Sequence, residues 1–217
     1  MVKIWDLPTR IFHWVLVALF TFLIYSGRWD DSLMQWHFYS GYALSGLILF
    51  RVLWGIFGTH YARFCSFITS PIQGISYLKA TFTGKAKHFY GHNPAGAMMV
   101  IMLILLLMLQ VASGLITSDE ILWEGPFYAS VSDELASLGA ETHHLVQSIL
   151  VYLVGFHILG VILHSILFKE KLVSAMVTGK KKDLGNATPR GAINPIALTL
   201  CIAISAGWVY YLFSLPV

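Results

Sequence analysis

Five long apolar stretches constrain the fold of this chain more than any other feature of its sequence. They occupy approximately residues 10–28, 37–57, 94–116, 143–168 and 194–213. Each is near the ~20 residues that an α-helix needs to cross the hydrocarbon core of a bilayer. Backbone polar groups in lipid must be paired within their own segment, so such stretches fold as helices. The sequence therefore predicts an all-α integral membrane bundle of five transmembrane helices, in which residues 1–217 form a single membrane-embedded domain.

The composition agrees with membrane insertion. Charged residues make up 12% of the chain, against roughly 25% in a soluble domain. The net charge of +3 does not indicate a nucleic-acid partner, because the charges sort by membrane side. Lys3 and Arg10 precede the first apolar stretch, as they would in a signal peptide, but no small-residue cleavage site follows it. We therefore expect this stretch to be a retained span.

The loops between the stretches alternate in charge. Loops 59–93 and 169–192 are basic, with Arg63, Lys79, Lys85 and Lys87 in the first and Lys169, Lys171, Lys180, Lys181, Lys182 and Arg190 in the second. Loop 117–142 has no Lys or Arg and contains Asp119, Glu120, Glu124, Asp133, Glu134 and Glu141. The positive-inside rule places the basic loops and the N-terminus in the cytoplasm. Five spans then predict a multi-pass protein of the bacterial inner (plasma) membrane with a periplasmic C-terminus.

Four histidines pair by their predicted depth in the membrane. His143 and His157 are fourteen residues apart, which places them on one helix face and about 21 Å apart along the axis. His37 begins the second span on the outer side, and His13 lies at the cytoplasmic end of the first. This predicts an outer pair, His37 with His143, and an inner pair, His13 with His157. Intramembrane histidines are costly and therefore usually functional.

Two neighbouring histidines compete for these roles. His144 points roughly 140° away from the face of His157, so His143 is the better candidate for the outer pair. His164 lies seven residues beyond His157, shares its face and matches the depth of His13 at least as well. The residues alone leave the choice between His157 and His164 open.

Two imidazoles from opposing helices, surrounded by aromatic and glycine residues, favour haem as the cofactor. Such a haem has a histidine on each face and no open coordination position. Zinc or copper sites usually cluster more ligands, often with Cys or carboxylate. The absence of Cys-x-x-Cys-His excludes covalent haem attachment. Several small residues in the spans leave room for flat macrocycles, although close helix packing explains each of them equally well. They are Gly41, Ser45, Gly46, Gly114, Gly155 and Gly160.

Arg51 is an unusual charge within the second apolar stretch. It lies fourteen residues after His37, on the same helix face and about 21 Å toward the cytoplasm. It is a candidate partner for a propionate of the inner haem. Snorkelling to the inner lipid surface explains it equally well.

The remaining histidines lie in the loop predicted to be cytoplasmic. We expect His60, His88 and His92 to be solvated there. His88 and His92 could bind a metal together only on a helix, which Gly91 and Pro94 disfavour.

Several stretches resemble one known family over nearly the whole chain. They include Trp-Asp-Leu-Pro-Thr-Arg-Ile-Phe-His13-Trp, His37 with Gly41-Tyr, Arg51-Val-Leu-Trp-Gly, His60-Tyr-Ala-Arg-Phe, Gly91-His-Asn-Pro-Ala-Gly96, Glu141-Thr-His143 through His157, and the segment Lys171–Lys180. Jointly they resemble the prokaryotic cytochrome b(561) and nickel–iron hydrogenase cytochrome b subunit family.

The resemblance implies a bundle in which four helices hold two non-covalent haem b groups and exchange electrons with the quinone pool. It implies His13, His37, His143 and His157 as the axial ligands of the haem irons, and so favours His157 over His164. His144 departs from the family pattern, in which we expect Glu.

The resemblance also implies a quinone or menaquinone site beside the inner haem. The candidate residues are His92, which could exchange a proton, and Asn93, which could bond a quinone carbonyl. Alternatively, Asn93 caps the third span, with Pro94 at its first helical position.

The function expected from these features is electron transfer between the quinone pool and a periplasmic redox protein that docks on the acidic loop 117–142. That partner would be a basic c-type cytochrome or a hydrogenase-like enzyme. One alternative is a stand-alone superoxide-oxidising quinone reductase, which the acidic outer face disfavours. Another is a non-redox transporter with a histidine proton relay. No residue is predicted to be catalytic.

Overall fold

The computed structural model describes residues 1–183, 185 and 187–215. Within these residues, helices are the main secondary structure. Its elements in chain order are β1 (Val2–Lys3), α1 (Leu7–Ser26), α2 (Met34–Phe57), α3 (Pro71–Phe82), α4 (Pro94–Gly114), α5 (Asp133–Phe168), α6 (Leu172–Thr178), β2 (Lys180–Lys181) and α7 (Pro195–Ser214). Short 3-10 turns cover Asp31–Leu33, Phe64–Ser66 and Tyr128–Ser130.

Among the described residues, five helices are long and apolar enough to cross a membrane: α1, α2, α4, α5 and α7. They coincide with the five predicted spans, which confirms the all-α membrane fold. Most boundaries agree within three residues, but α5 begins at Asp133 and not near residue 143. Asp133 and Glu134 lie in its first turn, where carboxylates favour the helix dipole, and the Ser132 hydroxyl accepts a hydrogen bond from Leu135 N. The last ten residues of the predicted loop 117–142 are therefore helical.

The chain divides into two compact units. The first comprises Met1–Ile11, Val52–Leu103 and Leu153–Thr199. The second comprises Phe12–Arg51, Ile104–Tyr152 and Leu200–Val217.

The first unit is organised around the N-terminus of the chain. β1 pairs antiparallel with β2, and Ile4 N donates to Gly179 O at 2.8 Å. Gly179 has a φ of 76°, a left-handed conformation that glycine adopts without strain. Ile4 and Trp5 are buried in a small core with Tyr61 and Ala175.

A buried carboxylate holds three parts of the first unit together. Asp6 is 1% exposed and caps α1 by accepting from Thr9 N at 2.8 Å. Its other oxygen accepts from Trp54 Nε1 at 3.0 Å and from the Thr59 hydroxyl at 2.6 Å. The carboxylate thus ties the start of α1 to the end of α2 and the turn that follows.

In the second unit, α7 packs against α2. Leu212 of α7 is fully buried with Phe38 and Tyr42 of α2. Trp208 Nε1 donates to the Ser45 hydroxyl at 2.9 Å, and a Cβ added at Gly46 would collide with the Val209 side chain. Ser45 and Gly46 therefore serve helix packing and not cofactor space. The fifth span therefore packs against α2.

Candidate haem site

The histidines of the predicted outer pair face each other in the second unit. His37 projects from the first turn of α2 and His143 from α5, and their ring centroids are 6.3 Å apart. The predicted pair is thus brought together in the structure.

Polar atoms behind each ring orient the two imidazoles. His37 Nδ1 lies 3.1 Å from the Ser26 hydroxyl, whose own proton is donated to Phe22 O. With its proton on Phe22 O, the hydroxyl oxygen accepts from His37 Nδ1–H. His143 Nδ1 donates to Gln110 O at 3.0 Å. With Nδ1 protonated, each ring carries its lone pair on Nε2, which suits a metal-binding histidine.

Glycines open a cavity beside the two rings. Gly27, Gly41 and Gly114 line it together with both histidines. A Cβ at Gly27 would lie 2.8 Å from His37 Cε1, and one at Gly114 would lie 2.8 Å from His143 Cε1. A Cβ at Gly41 would meet nothing within 4 Å, so this glycine borders open space.

The arrangement fits a haem with histidine on both faces. Two imidazoles on one iron hold their centroids roughly 6 Å apart, because each metal–nitrogen bond is ~2 Å long and each nitrogen lies about 1 Å from its ring centroid. The observed 6.3 Å agrees with this separation. In the part of the chain that the structure describes, no three His, Cys, Asp or Glu side chains converge to bind a bare metal ion.

His144 also borders the cavity but lies at its edge. Its side chain is exposed, and its ring is 6.4 Å from that of His143. The described contacts give it no anchor comparable to Gln110 O.

The candidates for the inner pair are described in separate units. His13, in the second unit, is partly buried with its ring edge-on to Trp14 at 5.0 Å. His157, in the first unit, is partly buried on α5. His164 Nε2 lies 3.3 Å from the Tyr77 hydroxyl, and its ring packs 4.5 Å from Phe168. His164 therefore has its own polar partner on α3.

Arg51 is inside the protein. Its side chain is only 3% exposed, and the guanidinium carbon lies 5.9 Å from the centroid of the Phe12 ring. This burial argues against snorkelling, since a snorkelling arginine extends its charge to the lipid surface.

The predicted quinone residues lie at the start of α4. Asn93 Oδ1 accepts from Gly96 N at 2.8 Å, so Asn93 caps the helix as the alternative interpretation predicted. The cap uses the amide oxygen and leaves the role of the amide N–H groups open. The His92 ring packs between Trp5, at 4.8 Å, and Phe67, at 4.5 Å, so it is not a solvated loop residue.

The other two loop histidines, which we expected to be solvated, form hydrogen bonds within the protein, His88 through its side chain and His60 through its backbone. His88, on a non-helical segment, bonds Glu170 at 2.7 Å while its side chain is 47% exposed. Lys181 Nζ lies 3.4 Å from the same carboxylate. Burial would raise the pKa of Glu170, but the His88 hydrogen bond and the Lys181 charge outweigh it and lower that pKa. His60 N donates to Arg190 O, which ties this loop to residues 187–192.

Sequence reasoning missed the residues that orient the histidines. They are the hydroxyls of Ser26 and Ser113 and the backbone carbonyl of Gln110, and Gly27 follows Ser26 directly. The two serines were a usable signal, because polar side chains in lipid are costly, whereas a backbone carbonyl leaves no signal in the sequence.

Comparisons with known proteins identify the family of the chain. A family model described as "Prokaryotic cytochrome b561" matches residues 4–179. A probable Ni/Fe-hydrogenase B-type cytochrome subunit of Bradyrhizobium diazoefficiens is 24% identical, with 83% of this chain and 86% of that protein aligned. The Azotobacter vinelandii protein of the same name is 26% identical, with 82% of this chain and 87% of that protein aligned. No solved structure matches the chain.

A match over residues 4–179 covers most of the 217 residues, including every candidate histidine. Five of the described helices are long and apolar enough to cross a membrane, and the paired imidazoles suit the haem b of a b-type cytochrome. The chain therefore belongs to the prokaryotic cytochrome b561 family and is a membrane b-type cytochrome that functions in electron transfer.

Proposed function

We propose that this cytochrome binds two haems and transfers electrons between a quinone on the cytoplasmic side and a redox protein on the periplasmic side. The single observation that carries the proposal is the 6.3 Å separation of the His37 and His143 rings, each with its Nδ1 proton held by an oxygen of the chain. Haem iron with histidine on both faces exchanges one electron at a time and has no open position for oxygen.

For the outer haem, the chain supplies ligands and space. His37 and His143 would bind the iron through Nε2, while Ser26 and Gln110 keep both rings in the required tautomer and orientation. Gly41 would leave space for the macrocycle, and Gly114 leaves space for the His143 ring.

For the inner haem, we propose His13 and His157 as ligands. The hydrogen-bond distance between His164 and Tyr77 supports this choice over His164, because it engages the His164 Nε2 that iron would need. Buried Arg51 is the proposed partner of a propionate, since a guanidinium matches the geometry of a carboxylate with two parallel N–H donors.

The quinone site is proposed at the start of α4. Asn93 would donate an amide N–H to a quinone carbonyl while its oxygen caps the helix. His92 would exchange a proton there. The positive-inside rule supports a cytoplasmic location, because the loop from 59 to 93 is basic and contains no acid.

On the periplasmic side, we propose a redox protein with a basic docking surface. The names of the relatives point to a hydrogenase as one such partner, and a c-type cytochrome is another. The acidic outer loop does not favour a superoxide-oxidising reductase, because it would repel the anion. A histidine-relay transporter is not the function of a b-type cytochrome.

Haem content of detergent-purified variants tests the ligand assignment. We expect two haems per chain in the unaltered protein and about half of that content in His143→Ala and in His157→Ala, since each change removes one axial ligand. The adjacent control His144→Ala and the same-face control His164→Ala should retain full content. Loss of haem in His144→Ala with full content in His143→Ala would overturn the assignment of His143. Loss of haem in His164→Ala with full content in His157→Ala would overturn the assignment of His157.

A further inference from the structure

The loop between α4 and α5 is ordered by hydrogen bonds between its two sides. Its two sides form a short ladder, in which Phe127 N donates to Leu115 O at 3.0 Å, and Gly125 N to Thr117 O at 2.7 Å. Asp119 N donates to Trp123 O at 2.9 Å at the end of this ladder. The ladder presents residues 120–122 as a tip, which we name the outer tip.

One carboxylate orders the outer tip. The Asp119 carboxylate accepts from the backbone N–H groups of Ile121, Leu122 and Trp123 at 2.8–2.9 Å. Burial would raise the pKa of Asp119, but these backbone hydrogen bonds outweigh it and lower that pKa. The ionised Asp119 side chain thus stabilises the turn of the outer tip.

The ordered tip exposes two large apolar side chains. Ile121 and Leu122 are each 81% exposed. Exposed apolar side chains rimmed by polar residues are a feature of interaction sites, and a small number of residues carries most of the binding energy of a typical interface.

The charge around the tip identifies the chemistry of what binds it. Glu120 and Glu124 flank the apolar pair and are exposed, as are Asp133 and Glu134 at the start of α5. No Lys or Arg occurs between residues 117 and 142. Anionic lipid would be repelled by this surface, whereas a protein with an apolar pocket and a basic rim is complementary to it.

The base of the same loop reaches the cofactor cavity. Thr117, Ser118 and Asp119 line the cavity together with His37 and His143. A protein bound to the outer tip would therefore lie beside the cavity that the proposed outer haem occupies.

From these observations we propose that Ile121 and Leu122 form the apolar anchor of the redox-partner docking surface and insert into a pocket of the partner that is rimmed by Lys and Arg. This inference rests on the proposed function for its partner class and adds the residues that make the contact.

Photo-crosslinking of the full-length protein in its native membrane tests the anchor. The photoreactive residue benzoylphenylalanine replaces Ile121. We expect it to crosslink to one periplasmic redox protein, and the crosslinked peptide should contain an apolar patch flanked by Lys or Arg. Tyr152→benzoylphenylalanine is the control, because Tyr152 lies in the middle of α5, is 72% exposed and should crosslink to lipid. Crosslinks from position 121 only to lipid, only to a second copy of this chain, or to nothing would overturn the proposal.

A paired substitution then tests the energetic role. Ile121→Ser combined with Leu122→Ser should lower co-purification of the crosslinked partner at least about tenfold. Ile72→Ser combined with Ile75→Ser, a control pair from exposed positions of α3, should leave it unchanged. Unchanged co-purification in the tip variant would overturn the anchor role.

Haem spectra separate failure of the docking proposal from failure of the proposed function. The tip variant should retain the spectrum of the unaltered protein, since Ile121 and Leu122 do not line the cavity. If the unaltered protein bound only one haem while the crosslink formed, the di-haem proposal would fail and the anchor would stand. If the unaltered protein bound two haems but position 121 crosslinked only to lipid, the anchor proposal would fail and the di-haem proposal would stand.

Discussion

At the scale of single residues, the site depends as much on the atoms behind the histidines as on the histidines themselves. An imidazole can donate from either nitrogen, and the hydrogen bond at one nitrogen decides what the other can bind. Here a serine hydroxyl and a backbone carbonyl take the Nδ1 protons of His37 and His143. The two Nε2 atoms are thereby prepared for a metal before any cofactor binds.

Gly41→Leu tests whether the cofactor occupies the cavity between these rings. We expect haem content per chain to fall to about half, because the new side chain would fill space in which a Cβ meets no protein atom. Absorbance of the reduced, purified protein measures this. Gly207→Leu is the matched control, since Gly207 is an exposed helical position with open space around it. Full haem content in Gly41→Leu would contradict this placement.

At the scale of secondary-structure elements, polar caps and short contacts decide where helices begin and how they are joined. Asp6 caps α1, Ser70 caps α3 by accepting from Gln73 N, and Asn93 caps α4. The Asp6 cap has the largest structural role, because the same carboxylate also binds Trp54 and Thr59.

Asp6→Ala is expected to destabilise the protein by about 3 kcal/mol or more, because it removes a helix cap and two buried hydrogen bonds to a carboxylate. Thermal unfolding in detergent, followed by circular dichroism, measures the effect. Asp30→Ala is the control, since Asp30 makes local hydrogen bonds to Ser32 at an exposed turn and should lose about 1 kcal/mol or less. Equal losses in the two variants would show that the Trp54 and Thr59 bonds contribute nothing.

At the scale of the whole molecule, the loops differ in the sign of their charge. The loops 59–93 and 169–192 are basic, while the loop 117–142 is acidic. This asymmetry gives the protein a predicted orientation, and it separates a basic surface suited to cytoplasmic lipid headgroups from an acidic surface suited to a protein partner.

Reporter fusions test the orientation. Alkaline phosphatase, which is active only in the periplasm, should be active when fused to the C-terminus and inactive when inserted after Gly84. Green fluorescent protein at the same positions should give the opposite pattern. Phosphatase activity after Gly84 would reverse the assignment of the membrane sides and place the proposed quinone site outside.

Much of this architecture follows from the sequence by itself. The number of spans, their approximate limits and the predicted depth of each histidine depend on local hydropathy, charge and helical periodicity, and these operate within a single segment. The pairing of His37 with His143 could be predicted for the same reason, since equal depth on two helices brings side chains to one level. The choice between His157 and His164 could not, because both residues share a face and His164 matches the depth of His13 at least as well as His157 does.

Only the tertiary structure decided the contacts that depend on how segments far apart in sequence approach each other. It brought Tyr77 of α3 within hydrogen-bonding distance of His164 and Gln110 of α4 onto His143. It also placed Arg51 inside the protein and Ser45 against α7. Hydropathy and periodicity assign a residue to a depth and a face, but its partner depends on the packing of other helices.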